Sequence, residues 1–243
     1  MDRDRYDALT AELVAWARDR DDVIGVVGLG STAGTSREPD EWSDHDVFVV
    51  TVDGRAEVLR RDLSWVPYPE RHAVRYTETL QGRGVIYDDG HLVELAVFDD
   101  SELDPIAVNA FRVLYDRGGL ADRLAAMQAR TSTQSVTEDS DGAYRVHQLV
   151  KHLTSLVASF VPAEKPGSLD NLDSLRRFEQ VYPAVSARIA AALDRPVPQA
   201  VEELLALAEQ LLAGRAPAAT HEAFDAVRHV LARVRGAAPE RVG

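Results

Sequence analysis

Cysteine is absent from this chain of 243 residues, and only two methionines are present. Without a thiol, disulfide bonds, thiolate zinc sites and a cysteine nucleophile are all excluded. Long apolar runs are absent too, since no stretch reaches the roughly 18 residues that a membrane helix needs. The N-terminal segment MDRDRYDAL is charged and lacks the apolar core of a signal peptide. These absences predict a soluble, cytoplasmic protein without a membrane partner.

Acidic residues outnumber basic ones mainly in the first 130 residues of the chain. Residues 1–130 contain 26 acidic and 15 basic side chains, whereas residues 131–243 contain 14 and 12. A negative field opposes binding to DNA or RNA, because that binding depends on basic side chains that neutralise phosphates. The sequence therefore predicts no nucleic-acid partner. The field favours metal ions and cationic small molecules, although the same acidity would also serve solubility alone.

A glycine-serine turn and two aspartates lie between two apolar runs. The run VIGVVGLG ends at Gly30, which Ser31 follows directly. The run DVFVVTV begins at Asp46, two residues after Asp44. Both runs are typical of buried strands, in which residues i and i+2 point to one face, so Asp44 and Asp46 point together. Two like charges this close cost energy unless a cation lies between them. Oxygen ligands favour Mg²⁺, or Mn²⁺ in its place, carrying the phosphates of a nucleotide.

This pattern resembles the nucleotidyltransferase superfamily that includes the aminoglycoside and lincosamide adenylyltransferases. The matching elements are an apolar strand, Gly30-Ser31, a variable loop, the segment Ser-Asp-His-Asp-Val at residues 43–47 and a second apolar strand. The resemblance implies transfer of a nucleoside monophosphate, AMP from ATP, onto a hydroxyl of a small acceptor, with pyrophosphate leaving. D-x-D alone would equally be a solvated turn, but its place between two strands and after Gly-Ser argues against that alternative.

A third carboxylate is expected on a strand adjacent to Asp46. Glu94 interrupts the apolar run LVELAVF, where an ionised group carries a large desolvation penalty unless it is paired or bound to a metal. Its same-face neighbours Leu92, Ala96 and Phe98 are apolar, which weakens the alternative of an exposed glutamate on a wet sheet face. Glu94 is therefore predicted to be a third metal ligand or the base that takes the proton of the acceptor.

The segment YRVHQLVKHLTSLVASF is amphipathic and carries one of only two lysines in the chain. The family resemblance implies that a lysine on the first helix after the domain boundary reaches the triphosphate, and Lys151 has that position. One turn earlier, His147 stands where some relatives carry a carboxylate base. A histidine can act as a base near neutral pH, and the alternative is a hydrogen-bonded histidine between domains.

The loop after Ser31 departs from the family pattern. Many relatives carry a basic residue where this chain has Gly34. Arg37 is the candidate replacement for a contact with the nucleotide, and the alternative is a solvent-exposed loop arginine. This departure leaves the triphosphate contacts less defined than the aspartate pair.

The order of the predicted elements indicates an α+β fold of two domains. A small mixed β-sheet nucleotidyltransferase domain is expected at residues 1–130 and a C-terminal helical bundle at residues 131–243, with the polar segment TSTQSVTEDSDG at the boundary. The predicted strands are 23–30, 46–52, 73–80, 84–88, 92–98 and 111–117, the last at a sheet edge, and the predicted helices are 4–20, 55–63, 104–110, 120–129, 143–160, 172–181, 183–193, 198–213 and 220–235.

Three functional hypotheses follow from these patterns. The favoured one is an enzyme, monomeric or homodimeric, that adenylylates a small hydroxylated and cationic molecule such as an aminoglycoside or lincosamide. The second is a protein-modifying nucleotidyltransferase of the antitoxin type, against which the long helical half counts. The third is a nucleotide-binding module without turnover, against which the set Ser31, Asp44, Asp46 and Glu94 counts.

Overall fold

The computed structural model describes residues 3–34, 39, 43–103, 108, 110–131, 149–155, 157, 161, 164–165 and 174–212. The strands are β1 (Val23–Leu29), β2 (His45–Thr51), β3 (His72–Thr77), β4 (Gly82–Tyr87), β5 (Leu92–Asp99) and β6 (Phe111–Asp116). The helices are α1 (Arg3–Arg18), α2 (Gly30–Ala33), α3 (Ala56–Arg61), α4 (Leu120–Thr131), α5 (residues 149–155), α6 (Ser174–Val181), α7 (Pro183–Leu193) and α8 (Val197–Leu212). Among the described helices, none combines the length and the hydropathy that a membrane span requires.

The strands form one mixed sheet in the order β3-β4-β5-β2-β1-β6. Strand β1 runs antiparallel to β2 and β6, whereas β2 and β5 are parallel. Six strands were predicted and all six are present, with β6 at an edge as expected. A mixed sheet with helices that do not alternate strictly with strands agrees with the predicted α+β class.

One face of the sheet is covered by α4. Side chains alternate along a strand, so Phe48 and Val50 of β2 share a face with Phe98 of β5. Val50 and Phe98 belong to a buried cluster that also contains Leu120, Leu124 and Met127 of α4, and the partly buried Phe48 packs against this cluster. The approach is close, because a Cβ on Gly25 would overlap with Leu120 Cδ2. Glycine at this position of β1 therefore lets α4 lie directly on the sheet.

Helix α1 covers the opposite face. Its apolar residues recur at helical spacing, and Tyr6, Leu9, Leu13 and Ala17 are buried. Tyr6 stacks on His45, the first residue of β2, which points away from the face that carries Phe48. The sheet of this region thus has a helix on each face, and the start of β2 contacts α1.

The chain divides into two compact units. The first contains Met1–His72, Gln81–Gly84 and His91–Thr137, and the second contains Ala73–Leu80, Val85–Gly90 and Glu138–Gly243. Within the second unit, α7 packs against α6 and α8, and the hydroxyl of Tyr182 donates to the carbonyl of Val161 at 2.8 Å. The predicted domain limits and the C-terminal bundle stay predictions. The predicted helix 220–235 and most of 104–110 lie outside the described residues.

Candidate functional site

Three carboxylates meet where β2 and β5 begin. Because these strands are parallel neighbours, Asp46 and Glu94 are register partners and share one face of the sheet. Asp44 lies two residues before Asp46, on the same side. One ligand oxygen from each of the three residues lies within 4.8 Å of the others. Asp44 is buried, and Asp46 and Glu94 are half-buried. The predicted adjacency of Glu94 to Asp46 is therefore confirmed, and the role of Glu94 stays a prediction.

The donor set suits a hard divalent cation. Among the described residues, Asp44, Asp46 and Glu94 are the group whose ligand atoms converge in this way, and all of these atoms are carboxylate oxygens. Mg²⁺ and Mn²⁺ prefer oxygen ligands, and a dication offsets the repulsion between carboxylates held this close. The residues at this site fit such an ion.

The turn between β1 and β2 approaches the carboxylates closely. Strand β1 ends at Leu29, and the four-residue helix α2 begins at Gly30, whose φ is +49°. A Cβ on residue 30 would lie 2.8 Å from Asp46 Oδ2. Gly34, with φ +62°, ends the turn by donating its N–H to the carbonyl of Ser31 at 3.1 Å. Only glycine suits both the dihedral angle and the space at residue 30.

A chain of hydrogen bonds joins the backbone of the two aspartates. The N–H of Asp46 donates to Thr32 Oγ1 at 3.1 Å, Thr32 Oγ1 lies 2.7 Å from the hydroxyl of Tyr6, and that hydroxyl donates to the carbonyl of Asp44 at 3.0 Å. Because a carbonyl only accepts, Tyr6 uses its single proton on Asp44 and accepts from Thr32. The direction of every bond in the chain is thereby assigned. Ser31 Oγ also donates to the carbonyl of Asp44, at 3.3 Å.

Tyr6 is held in its protonated form. Burial raises the pKa of Tyr6 to about 12, against the lowering effect of the hydrogen bond from Thr32, and the charges of Asp44 and Asp46 raise this pKa further. At neutral pH the phenol is protonated and donates to the carbonyl of Asp44.

A buried histidine packs against the ring of Tyr6. The ring of His45 stacks on Tyr6 with centroids 3.7 Å apart, and burial lowers the pKa of His45 to about 4, despite the opposing charge of Asp44. Its Nε2 lies 3.0 Å from Thr10 Oγ1, and its Nδ1 lies 2.7 Å from His91 Nε2. Thr10 donates its single proton to the carbonyl of Tyr6, so the N–H at Nε2 of His45 donates to Thr10 Oγ1. Because a neutral imidazole carries one proton, Nδ1 of His45 then accepts a hydrogen bond from the Nε2–H of His91.

An arginine from β6 lies against the end of α2. Arg112 Nη2 donates to the carbonyl of Thr32 at 3.1 Å, and Arg112 Nη1 would lie 3.9 Å from a Cβ on Gly34. The sequence lacks a basic residue at position 34, and the structure places the guanidinium of Arg112 near that position. This arginine was not among the predicted site residues, because it lies on a distant segment of the chain.

The predicted site residues fall into three groups. Gly30, Ser31 and the three carboxylates come together in the first unit. Lys151 is half-buried on α5 in the second unit. Arg37 and His147 lie outside the described residues.

Sequence patterns did not reveal Tyr6 and Thr32 as hydrogen-bond partners of the backbone of the two aspartates. Tyr6 reads as one more apolar position of an amphipathic helix, and only its hydroxyl distinguishes it from Leu9. Thr32 follows the Gly-Ser pair directly, and this proximity is the one signal that could have singled it out.

Comparisons with known proteins leave the family of the chain open. No protein-family model matches it, and no curated protein does. Among solved structures it is similar to the CD-NTase CdnG of Bradyrhizobium diazoefficiens in complex with GTP, with 15% identity, a TM-score of 0.26 and coverage of 96% of this chain and 92% of that chain. A TM-score this low does not establish a common fold, and it assigns no function to this chain.

Proposed function

We propose that the chain is a divalent-metal-dependent nucleotidyltransferase that moves AMP from ATP onto a hydroxyl of a small cationic acceptor, such as an aminoglycoside or lincosamide. The observation that carries the proposal is the convergence of Asp44, Asp46 and Glu94 within 4.8 Å. The contact of Gly30 with Asp46 supports it further, because it brings a glycine-serine turn to the edge of the carboxylate cluster.

Asp44, Asp46 and Glu94 are the residues that would hold Mg²⁺ or Mn²⁺. When bound, the ion neutralises charge on the phosphates and orients them for displacement. The carboxylates supply negative charge at fixed positions on one sheet face, and Asp44 is buried enough that an unpaired charge there would be costly.

The turn and the basic side chains would bind the triphosphate. Gly30 has no side chain between the turn and Asp46, so backbone N–H groups of the turn can approach a phosphate closely. Ser31 adds a hydroxyl next to Asp44. Lys151 and Arg37 are proposed to supply cations, since negative charge moves onto the leaving pyrophosphate during transfer.

The transfer itself needs a base for the acceptor. The hydroxyl oxygen forms a bond to the α-phosphorus while the bond from that phosphorus to the bridging oxygen breaks, and pyrophosphate leaves. The proton of the hydroxyl goes to Glu94 or to His147.

Measurement of pyrophosphate release tests this proposal. Purified protein with Mg²⁺, each of four nucleoside triphosphates and a panel of aminoglycosides and lincosamides should release pyrophosphate with at least one pair. Asp44→Asn and Asp46→Asn should each abolish release, because each removes a metal ligand. Neither change should destabilise the protein without metal, because each relieves repulsion between carboxylates.

Asp53→Asn is the matched control. Asp53 is exposed just beyond the other end of β2 and accepts a hydrogen bond from the N–H of Ser101. Its loss should leave turnover unchanged. Near-normal turnover in either site variant would show that the carboxylate cluster does not hold the ion.

A further inference from the structure

Asp46 lies within a strand of the sheet, whereas Asp44 lies just before that strand. The register between β1 and β2 ends at the pair Leu29–Asp46, and the register between β2 and β5 begins at His45. Asp46 is therefore a strand residue, whereas Asp44 lies just outside both registers. The hydroxyls of Tyr6 and Ser31 donate to its carbonyl instead. The position of one carboxylate thus depends on side chains from α1 and α2.

The chain of hydrogen bonds closes on the same two residues. It leaves the N–H of Asp46, passes through Thr32 Oγ1 and the hydroxyl of Tyr6, and returns to the carbonyl of Asp44. Every hydroxyl in it donates once and accepts once, so each bond polarises the next. The distance between the backbone of the two aspartates is consequently spanned by two hydroxyls of fixed geometry.

Both hydroxyls are themselves immobilised. Thr32 is fully buried, and its carbonyl accepts from Arg112 of β6. The ring of Tyr6 stacks on His45, which is tied in turn to Thr10 and His91. Side chains from α1, β6 and the segment before β5 therefore hold the two hydroxyls in place.

We propose that Thr32 and Tyr6 are positioning residues that set the separation of the Asp44 and Asp46 carboxylates for a divalent cation. This inference rests on the proposed function, because it concerns the same cation. Neither residue touches the ion. Each acts through the backbone of an aspartate, as outer-shell partners of metal ligands do.

Binding of Mn²⁺ by the full-length protein tests the inference without any turnover. Titration followed by electron paramagnetic resonance should show binding about 10-fold weaker or more for Thr32→Val and for Tyr6→Phe, the range typical for loss of an outer-shell partner. Thr32→Val keeps the shape and loses the hydroxyl, and Tyr6→Phe keeps the ring on His45. Thr32→Ser restores an Oγ and should bind Mn²⁺ within about 2-fold of the natural protein.

Thr51→Val is the matched control. Thr51 lies at the opposite end of β2 and is as fully buried as Thr32. Its Oγ1 lies within hydrogen-bond distance of two acceptors, the carbonyl of Phe98 and Asp99 Oδ1. Thermal unfolding should show similar destabilisation for the two valine variants, whereas only Thr32→Val should weaken Mn²⁺ binding.

Two results would overturn the inference in distinguishable ways. If Thr32→Val and Tyr6→Phe bind Mn²⁺ as tightly as Thr51→Val, the two hydroxyls are structural only, and the proposed function stands. If Asp44→Asn leaves Mn²⁺ binding unchanged, the cluster is not the cation site, and the proposed function falls together with the inference.

Discussion

Gly30 is the residue whose replacement tests the site with the least chemical change. Its φ of +49° disfavours any side chain, and an added Cβ would press on Asp46 Oδ2. We expect Gly30→Ala to lower the free energy of unfolding by about 1–2 kcal/mol from the backbone alone, and to weaken Mn²⁺ binding by displacing the carboxylate. Chemical denaturation and metal titration measure the two effects.

Gly54→Ala separates the effect of backbone strain from the effect of contact with Asp46. Gly54 also has a positive φ, +83°, and a Cβ there would meet nothing within 4 Å. This variant should lose stability through its backbone and bind Mn²⁺ normally. If both alanine variants bind Mn²⁺ equally well, the contact between residue 30 and Asp46 has no influence on the site.

Substitutions of Glu94 and His147 should differ in their effects on nucleotide binding and on turnover. If Glu94 only binds metal, Glu94→Gln should weaken metal-dependent nucleotide binding and turnover together. His147→Ala should then leave nucleotide binding unchanged and slow transfer by about 100-fold or more, as expected for loss of a general base. Calorimetry with ATP and Mg²⁺, beside steady-state rates, makes the comparison.

The pH dependence of the rate gives a second test of His147. A histidine base must be neutral to accept a proton, so the rate should fall as pH drops through about 6.5, the ordinary pKa of imidazole. This acidic limb should disappear in His147→Ala. Full activity and an unchanged profile in that variant would leave Glu94 as the base.

At the scale of the secondary-structure element, the start of α4 depends on one carboxylate. Asp116, the last residue of β6, accepts hydrogen bonds from the N–H groups of Gly118, Leu120 and Ala121. Desolvation alone would raise the pKa of Asp116, but these backbone donors outweigh it and hold the pKa below the ordinary value of 3.8. We expect Asp116→Ala to cost about 1 kcal/mol near neutral pH, as for loss of a helix N-cap.

The pH dependence of that loss follows from the direction of the pKa shift. A carboxyl whose pKa is lower in the folded state contributes stability above its unfolded pKa and loses the contribution as pH falls through its folded pKa. The difference between the natural protein and Asp116→Ala should therefore be largest above about pH 4 and shrink below it. Asp122→Ala, an exposed site on the same helix, should show a much smaller difference. A pH-independent loss for Asp116→Ala would show that packing rather than charge is responsible.

At the scale of the whole molecule, the distribution of charge concerns the acceptor. Acidic residues outnumber basic ones by 26 to 15 over residues 1–130. If this field attracts a cationic acceptor, raising the salt concentration from about 50 to about 200 mM should raise the KM for that acceptor and leave kcat unchanged, because salt screens exposed charges. Steady-state kinetics at the two salt concentrations measure the effect.

The matched comparison is the same acceptor with its amines acetylated. Acetylation removes the positive charge and keeps the hydroxyls, so its KM should be nearly independent of salt. Equal salt dependence for both forms would assign the acidity of the first half to solubility alone.

Local patterns in the chain were enough to predict the strands and to predict that Asp44 and Asp46 point to the same face. They were also enough to select Glu94 as the third carboxylate. These features follow from the two-residue period of a strand and from the cost of a charge in an apolar run, both of which are properties of short segments. The four-residue helix α2 was missed, because a Gly-Ser pair indicates a turn without specifying how far the turn winds.

Only the tertiary structure decided what surrounds the carboxylates. Tyr6 and Thr32 are 26 residues apart in sequence, and Arg112 lies 80 residues beyond Thr32. Periodicity records which face of an element is apolar and carries no information about the partner that this face meets. The parallel direction of β2 and β5 and their register likewise come from the tertiary structure. The sequence by itself thus determined which residues could hold a cation, and the packing of α1, α2 and β6 around β2 determined how those residues are held.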